Sequence, residues 1–159
     1  MEKKKVLLLI LCIATCEVVG GVLGSIFTIP AIPGWYLHLN KPSFTPPSWL
    51  FGPVWTTLYL LMGISLFLVY TTRRKAAARN RAIILFAAQL LLNLLWSVVF
   101  FGFHSPFYGF VIIVLLWLAI LATIIQSYFV RKSAAYVLIP YIIWVTVASL
   151  LNFYVLILN

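Results

Sequence analysis

Five long apolar stretches, at about residues 5–27, 47–71, 81–102, 107–129 and 134–158, constrain this chain more than any other feature. A bilayer core ~30 Å thick requires about 20 apolar residues per crossing helix. Between their flanking basic residues, the last four stretches contain no Asp, Glu, Lys or Arg. Period-two alternation is absent, which argues against a transmembrane β-barrel. A helix satisfies every backbone N–H and C=O within its own segment, as lipid demands. The expected fold class is an all-α integral membrane protein: one domain over residues 1–159, built as a bundle of five transmembrane helices.

Composition gives the same answer. The chain is 65% hydrophobic and 8% charged, where a soluble domain carries about 25% charged residues. So few charges cannot cover a water-facing surface, and the expected partner of that surface is the lipid bilayer. The net charge of +9 does not indicate nucleic acid, because the basic residues sit in short breaks between spans instead of on one solvated face. The first stretch follows Lys3, Lys4 and Lys5 as a signal peptide would. It outruns a typical h-region of about 7–15 residues, so it is read as a retained helix.

The breaks set the orientation. Lys3, Lys4 and Lys5 precede the first span; Arg73, Arg74, Lys75, Arg79 and Arg81 fall between the second and third; Arg131 and Lys132 fall between the fourth and fifth. Five-span threading puts these ten of the 11 basic residues on one side and Lys41 alone on the other. The positive-inside rule makes the expected location a cell membrane, with the N-terminus cytoplasmic and Asn159 outside. The longest connection, about Thr28 to Ser48, is rich in Pro, Gly and aromatics, and a lid over a cavity is one reading of it.

Polar residues inside spans are the candidate functional groups. Glu17 is the one acid within a span, and a mid-bilayer carboxylate costs roughly 2.5–3.5 kcal/mol on insertion scales. It reads either as a proton or ligand site or as an interhelical hydrogen bond. Gly20 and Gly24 nearby form a small-xxx-small pair that admits a close neighbouring helix. Gln89, Asn93 and Trp96 share one face of the third span, as cavity wall or as helix–helix glue. Trp144, Ala148, Leu151 and Asn152 share a face of the fifth, where an indole beside an alanine shapes a recess. Cys12 and Cys16 read as small packing residues, and His38 and His104 as interfacial side chains. Paired acids, a metal-ligand cluster and a glycine-rich phosphate loop are all missing, so neither a metal nor a resident cofactor is expected.

The run Trp35-Tyr36 through Lys41-Pro42-Ser43-Phe44-Thr45-Pro46-Pro47, continued by Gly52-Pro53-Val54-Trp55-Thr56-Thr57-Leu58-Tyr59, resembles the signature of the TspO/MBR family (tryptophan-rich sensory protein, translocator protein). Asn93 with Trp96, Phe100-Phe101-Gly102, and Pro140-Tyr141 followed by Trp144, Ala148 and Leu151-Asn152 extend the resemblance over nearly the whole chain. It implies a five-helix bundle with a ligand cavity open toward the first connection. It also implies binding of porphyrins, other tetrapyrroles and hydrophobic drug-like molecules. The matched cavity positions are Ser25, Thr28, Tyr36, Trp55, Asn93, Trp144, Ala148 and Leu151. Some bacterial members promote light-dependent porphyrin breakdown, for which Trp55 and Trp144 match the participating tryptophans. Dimers are common in the family, which implies a homodimer.

Two departures stand out: Phe44 replaces the usual Trp, and the sterol-recognition pattern is incomplete, with Phe153 at its tyrosine place and no basic residue after it. Three functions follow as expectations: tetrapyrrole binding with a sensing or regulatory role, light-dependent porphyrin degradation, or transport with Glu17 as coupling group.

Overall fold

A computed structural model describes residues 2–73 and 76–159, so Arg74 and Lys75 of the second basic segment lie outside the described residues. Five helices are long and apolar enough to cross a membrane: α1 (Glu2–Ala31), α2 (Ser48–Tyr70), α3 (Ala76–Gly102), α4 (Pro106–Val130) and α5 (Lys132–Leu158). No strand occurs among the described residues. Leu91, Leu118, Ile125 and Ile143 are each more than half exposed on the outside of the bundle. Such an apolar exterior suits hydrocarbon and not water.

All the helices but α2 outrun the apolar stretches that announce them. α1 runs on from about Phe27, where its apolar stretch ends, through Thr28 and Pro30 to Ala31. Thr28, expected to open the first connection, instead lies within the helix and donates its Oγ1 to Gly24 O at 3.0 Å. Hydropathy reports the hydrocarbon thickness, whereas a helix continues as long as its hydrogen bonds do. α5 is interrupted at Leu138, where Leu138 N–H bonds Ala135 O at 3.0 Å. Pro140 then sits in the first turn of the resumed helix, where its missing N–H costs nothing.

Around the bundle the order is α1, α2, α5, α4, α3, each helix packing chiefly on its neighbours in that ring. Glycine sets the closest approaches. A Cβ on Gly63 of α2 would collide with the Ile13 backbone of α1, and one on Gly20 of α1 would overlap the Tyr59 ring of α2. Polar side chains link the remaining pairs. Ser65 donates to Ala134 O at 2.8 Å, Gln126 to Ala78 O at 3.1 Å, and Trp117 Nε1 to Thr146 Oγ1 at 2.9 Å. Interhelical hydrogen bonds of this kind contribute roughly 0.6–2 kcal/mol each in membranes. Cys12 and Cys16 are buried free thiols.

Two helices depart locally from α geometry. Glu17–Val22 of α1 forms a π turn, closed by Leu23 N–H to Val18 O. Val98–Gly102 of α3 forms another, closed by Phe103 N–H to Val98 O at 3.0 Å. Both lie where α1 packs on its neighbour α3: a Cβ on Gly24 would lie 3.3 Å from Ser97 Oγ, and one on Gly102 would lie 2.8 Å from the Phe27 ring.

The first connection is folded and tied down. Lys41 Nζ donates to the carbonyls of Tyr36, Leu37 and Leu39 at 2.7, 3.1 and 2.9 Å, and lies 4.9 Å from the Tyr36 ring centroid. Asn40 and Asn159 exchange hydrogen bonds of 3.0 Å, fastening the connection to the end of α5. His104, at φ 52° between α3 and α4, stacks on Trp35 at 4.7 Å.

Candidate functional site

The membrane half nearest the first connection is hollow. A cavity of about 390 Å³ lies between α1, α2, α3 and α5, within the ~300–1,000 Å³ usual for small-molecule sites. Seven aromatic side chains stand in its wall. Trp55 stacks on Tyr59 at 5.6 Å and approaches Trp96 at 6.4 Å; Trp96 in turn stacks on Phe100 at 5.3 Å. Tyr36 closes the top, edge-on to Phe51 at 6.4 Å and to Phe100 at 6.4 Å. Tyr36 is buried, and that burial pushes its phenol pKa up, so it stays neutral. Such surfaces suit flat apolar molecules, with polar tips fixing orientation.

Behind the Tyr59 ring runs a buried chain of hydrogen bonds crossing three helices. Tyr59 Oη donates to Asn93 Oδ1 at 2.8 Å, Asn93 Nδ2 donates to Tyr141 Oη at 3.1 Å, and Tyr141 Oη donates to Gln89 Oε1 at 2.9 Å. On the far wall Trp96 Nε1 donates to Asn152 Oδ1 at 3.1 Å, while Asn152 Nδ2 donates to Pro106 O at 2.8 Å.

The mouth faces sideways. The exposed lining residues, Val22, Ile29, Ser48, Gly52 and Thr56, all belong to α1 and α2. Below, Gly20 and Gly63 clamp these two helices together; above, a Cβ on Gly52 would meet only open space. The pair therefore splays toward the first connection, and the gap opens toward lipid. Directly beneath the first connection, Tyr36 and Phe51 roof the cavity.

Residues 12–158 match the model of the TspO/MBR family. The chain belongs to the TspO/MBR family. It is 48% identical over 156 residues to the tryptophan-rich protein TspO of Chlorobaculum tepidum, covering 98% of both chains. It is 36% identical over 125 residues to the tryptophan-rich sensory protein of Cereibacter sphaeroides, covering 79% of this chain and 77% of the other. It is 37% identical over 122 residues to the human translocator protein, covering 75% of this chain and 71% of the other.

The positions singled out by resemblance to TspO/MBR proteins divide into two groups. Ser25, Thr28, Tyr36, Trp55, Ala148 and Leu151 line the cavity. Asn93 does not reach it: Tyr59 stands between, and both ends of the carboxamide are engaged by tyrosines. Trp144 also lies off the wall, behind Phe51 at 6.1 Å, with its buried Nε1 lacking a hydrogen-bond partner among the described residues. Helical periodicity puts Trp144 on the face of Ala148 and Leu151 but does not report that Phe51 fills the space before it. The lining also includes Phe51, Trp96, Phe100, Asn152 and Glu17. Asn152 and Trp96 were visible in the sequence as face-sharing residues. The depth of Phe51, one position before Gly52, had no sequence signal beyond its aromatic character. Among the described residues no group of His, Cys, Asp or Glu could hold a metal.

Proposed function

We propose that this membrane protein binds porphyrins or related planar hydrophobic molecules in the cavity between α1, α2, α3 and α5, and that binding serves a sensing or regulatory role. One observation carries this reading: an aromatic-walled hollow of about 390 Å³, with Trp55 and Trp96 side by side, opens to the lipid in which such ligands dissolve. The names of its relatives, sensory protein and translocator protein, accord with a ligand-responsive membrane protein. The basic ends of the spans support a cytoplasmic N-terminus, a reading in which the cavity belongs to the outer half of the bilayer. The test is quenching of tryptophan fluorescence by protoporphyrin IX in detergent. Saturable binding should weaken about tenfold or more in Trp55→Ala, since burying an aromatic side chain contributes about 1.5–3 kcal/mol. Equal affinity in the variant would remove this site.

The run of rings from Trp55 through Trp96 to Phe100 favours a second reading, light-driven oxidation of a bound porphyrin by oxygen with Trp55 as the residue beside the ring. Trp144, the other tryptophan matched to that chemistry, stands behind Phe51. Equal yields of ring-opened product from illuminated wild type and Trp55→Phe would eliminate this reading. A role as a homodimer is tested independently by mass measurement in nanodiscs.

A further inference from the structure

The cavity wall carries one acid, Glu17, and no lysine, arginine or histidine. Glu17 opens the π turn of α1, and its carboxyl folds forward over the bare backbone of Gly21, where a Cβ would lie 3.3 Å from Glu17 Oε2 and 3.5 Å from the Tyr59 ring. Glycine at 21 is therefore what leaves room for the carboxyl against the cavity wall. π turns recur at functional sites because they re-aim side chains that a regular helix would point elsewhere.

Four polar side chains of the wall are already engaged. Ser25 donates to Val22 O at 2.8 Å, Thr28 to Gly24 O at 3.0 Å, and Tyr59 to Asn93. Asn152 is engaged at both ends. Glu17 has neither a hydrogen-bond nor an ion-pair partner among the described residues. An acid kept within a span at a cost of a few kcal/mol calls for a partner, and the wall supplies none.

We propose that Glu17 receives a protonated amine carried by an aromatic ligand, so that the cavity selects hydrophobic cations over neutral and anionic molecules of the same shape. This rests on reading the hollow as a ligand site and adds the charge of the group it accepts. The aromatic body lies along Trp55 and Trp96, and the amine points to the π turn, where N⁺–H donates to the carboxylate. A ligand with carboxylate tails is held with those tails toward the mouth, away from Glu17.

The test uses three probes of one shape: 1-pyrenemethylamine, 1-pyrenemethanol and 1-pyrenecarboxylate, titrated against purified protein in nanodiscs of neutral phosphatidylcholine, with empty nanodiscs as blank. Wild type should bind the amine about tenfold or more tighter than the alcohol, the size expected of a hydrogen bond to a charged group, and the carboxylate weakest. In Glu17→Gln the amine-to-alcohol ratio should fall to about one. A wild type with no amine preference overturns the proposal without reference to any variant, and so does a preference that persists in Glu17→Gln. If the alcohol itself fails to bind wild type, or binds Trp55→Ala equally well, the ligand-site reading falls and this one with it. Loss of amine selectivity alone leaves the ligand-site reading standing.

Discussion

Tyr59 Oη donates to Asn93 Oδ1 across 2.8 Å, and this bond separates the cavity from the core of the bundle. The ring of Tyr59 faces the hollow while its hydroxyl belongs to the chain that continues to Tyr141 and Gln89. Tyr59→Phe keeps the ring and removes the hydroxyl, so it should cost about 0.6–2 kcal/mol of stability with little change in ligand affinity. Asn93→Leu breaks two links and should lower the unfolding midpoint further. Thermal unfolding followed by fluorescence, alongside a porphyrin titration, reads both quantities. A larger loss of affinity than of stability in Asn93→Leu would return Asn93 to the cavity.

Three helical glycines should respond in two opposite ways. Gly20→Ala drives a methyl into the Tyr59 ring, and Gly63→Ala drives one into the Ile13 backbone. Each should destabilise by about 1–3 kcal/mol, the range for overpacking. Gly52→Ala faces open space and gains up to about 1 kcal/mol of helix propensity. Gly52→Phe should fold but obstruct the gap between α1 and α2, slowing ligand association in stopped-flow quenching. An unaltered association rate would place the route of entry elsewhere.

Lys41 holds the first connection by three carbonyls at once. Lys41→Met retains the aliphatic stem and loses every donor. Limited proteolysis should then cut between Pro33 and Pro47 at least several-fold faster, and ligand dissociation should quicken because Tyr36 is no longer fixed over the cavity. Unchanged protease resistance would show that the Asn40–Asn159 pair suffices alone.

The tryptophans should separate by position. Trp55→Phe changes a wall of the cavity, whereas Trp144→Phe changes a ring behind Phe51 whose Nε1 makes no hydrogen bond among the described residues. The first should weaken porphyrin binding several-fold and the second by less than twofold. Trp144→Phe also removes an unsatisfied buried donor, so its stability should be equal or slightly higher. Equal losses of affinity in both would mean that Phe51 moves aside when ligand binds.

Span number and threading were readable from residue types because lipid penalises each charge and each open backbone group separately. The fact that Gly20 and Gly24 face neighbouring helices was readable too, since small residues at that spacing serve few other purposes in a membrane. The cavity was less accessible. Asn93 and Trp144 share helix faces with true lining residues, and periodicity cannot tell which neighbour intervenes; here Tyr59 and Phe51 do. Periodicity also assumes 3.6 residues per turn, and both π turns violate that assumption exactly where the wall is built. The sideways mouth depends on how α1 and α2 diverge above Gly20, a tertiary relation that neither helix encodes alone.

The π turn at Glu17–Val22 also leaves a mark in the chain's arithmetic. Because an α-helix advances about 100° per residue, a regular helix of unchanged length would swing Ser25 and Thr28 about a quarter turn away from the hollow, whereas deleting a single residue there would straighten the helix and leave them in place. A homologue with an unbulged first helix must therefore be one residue shorter at this point to keep Gly24 against Ser97. A one-position gap at residues 17–22 between otherwise matching sequences would thus record the gain or loss of the bulge itself.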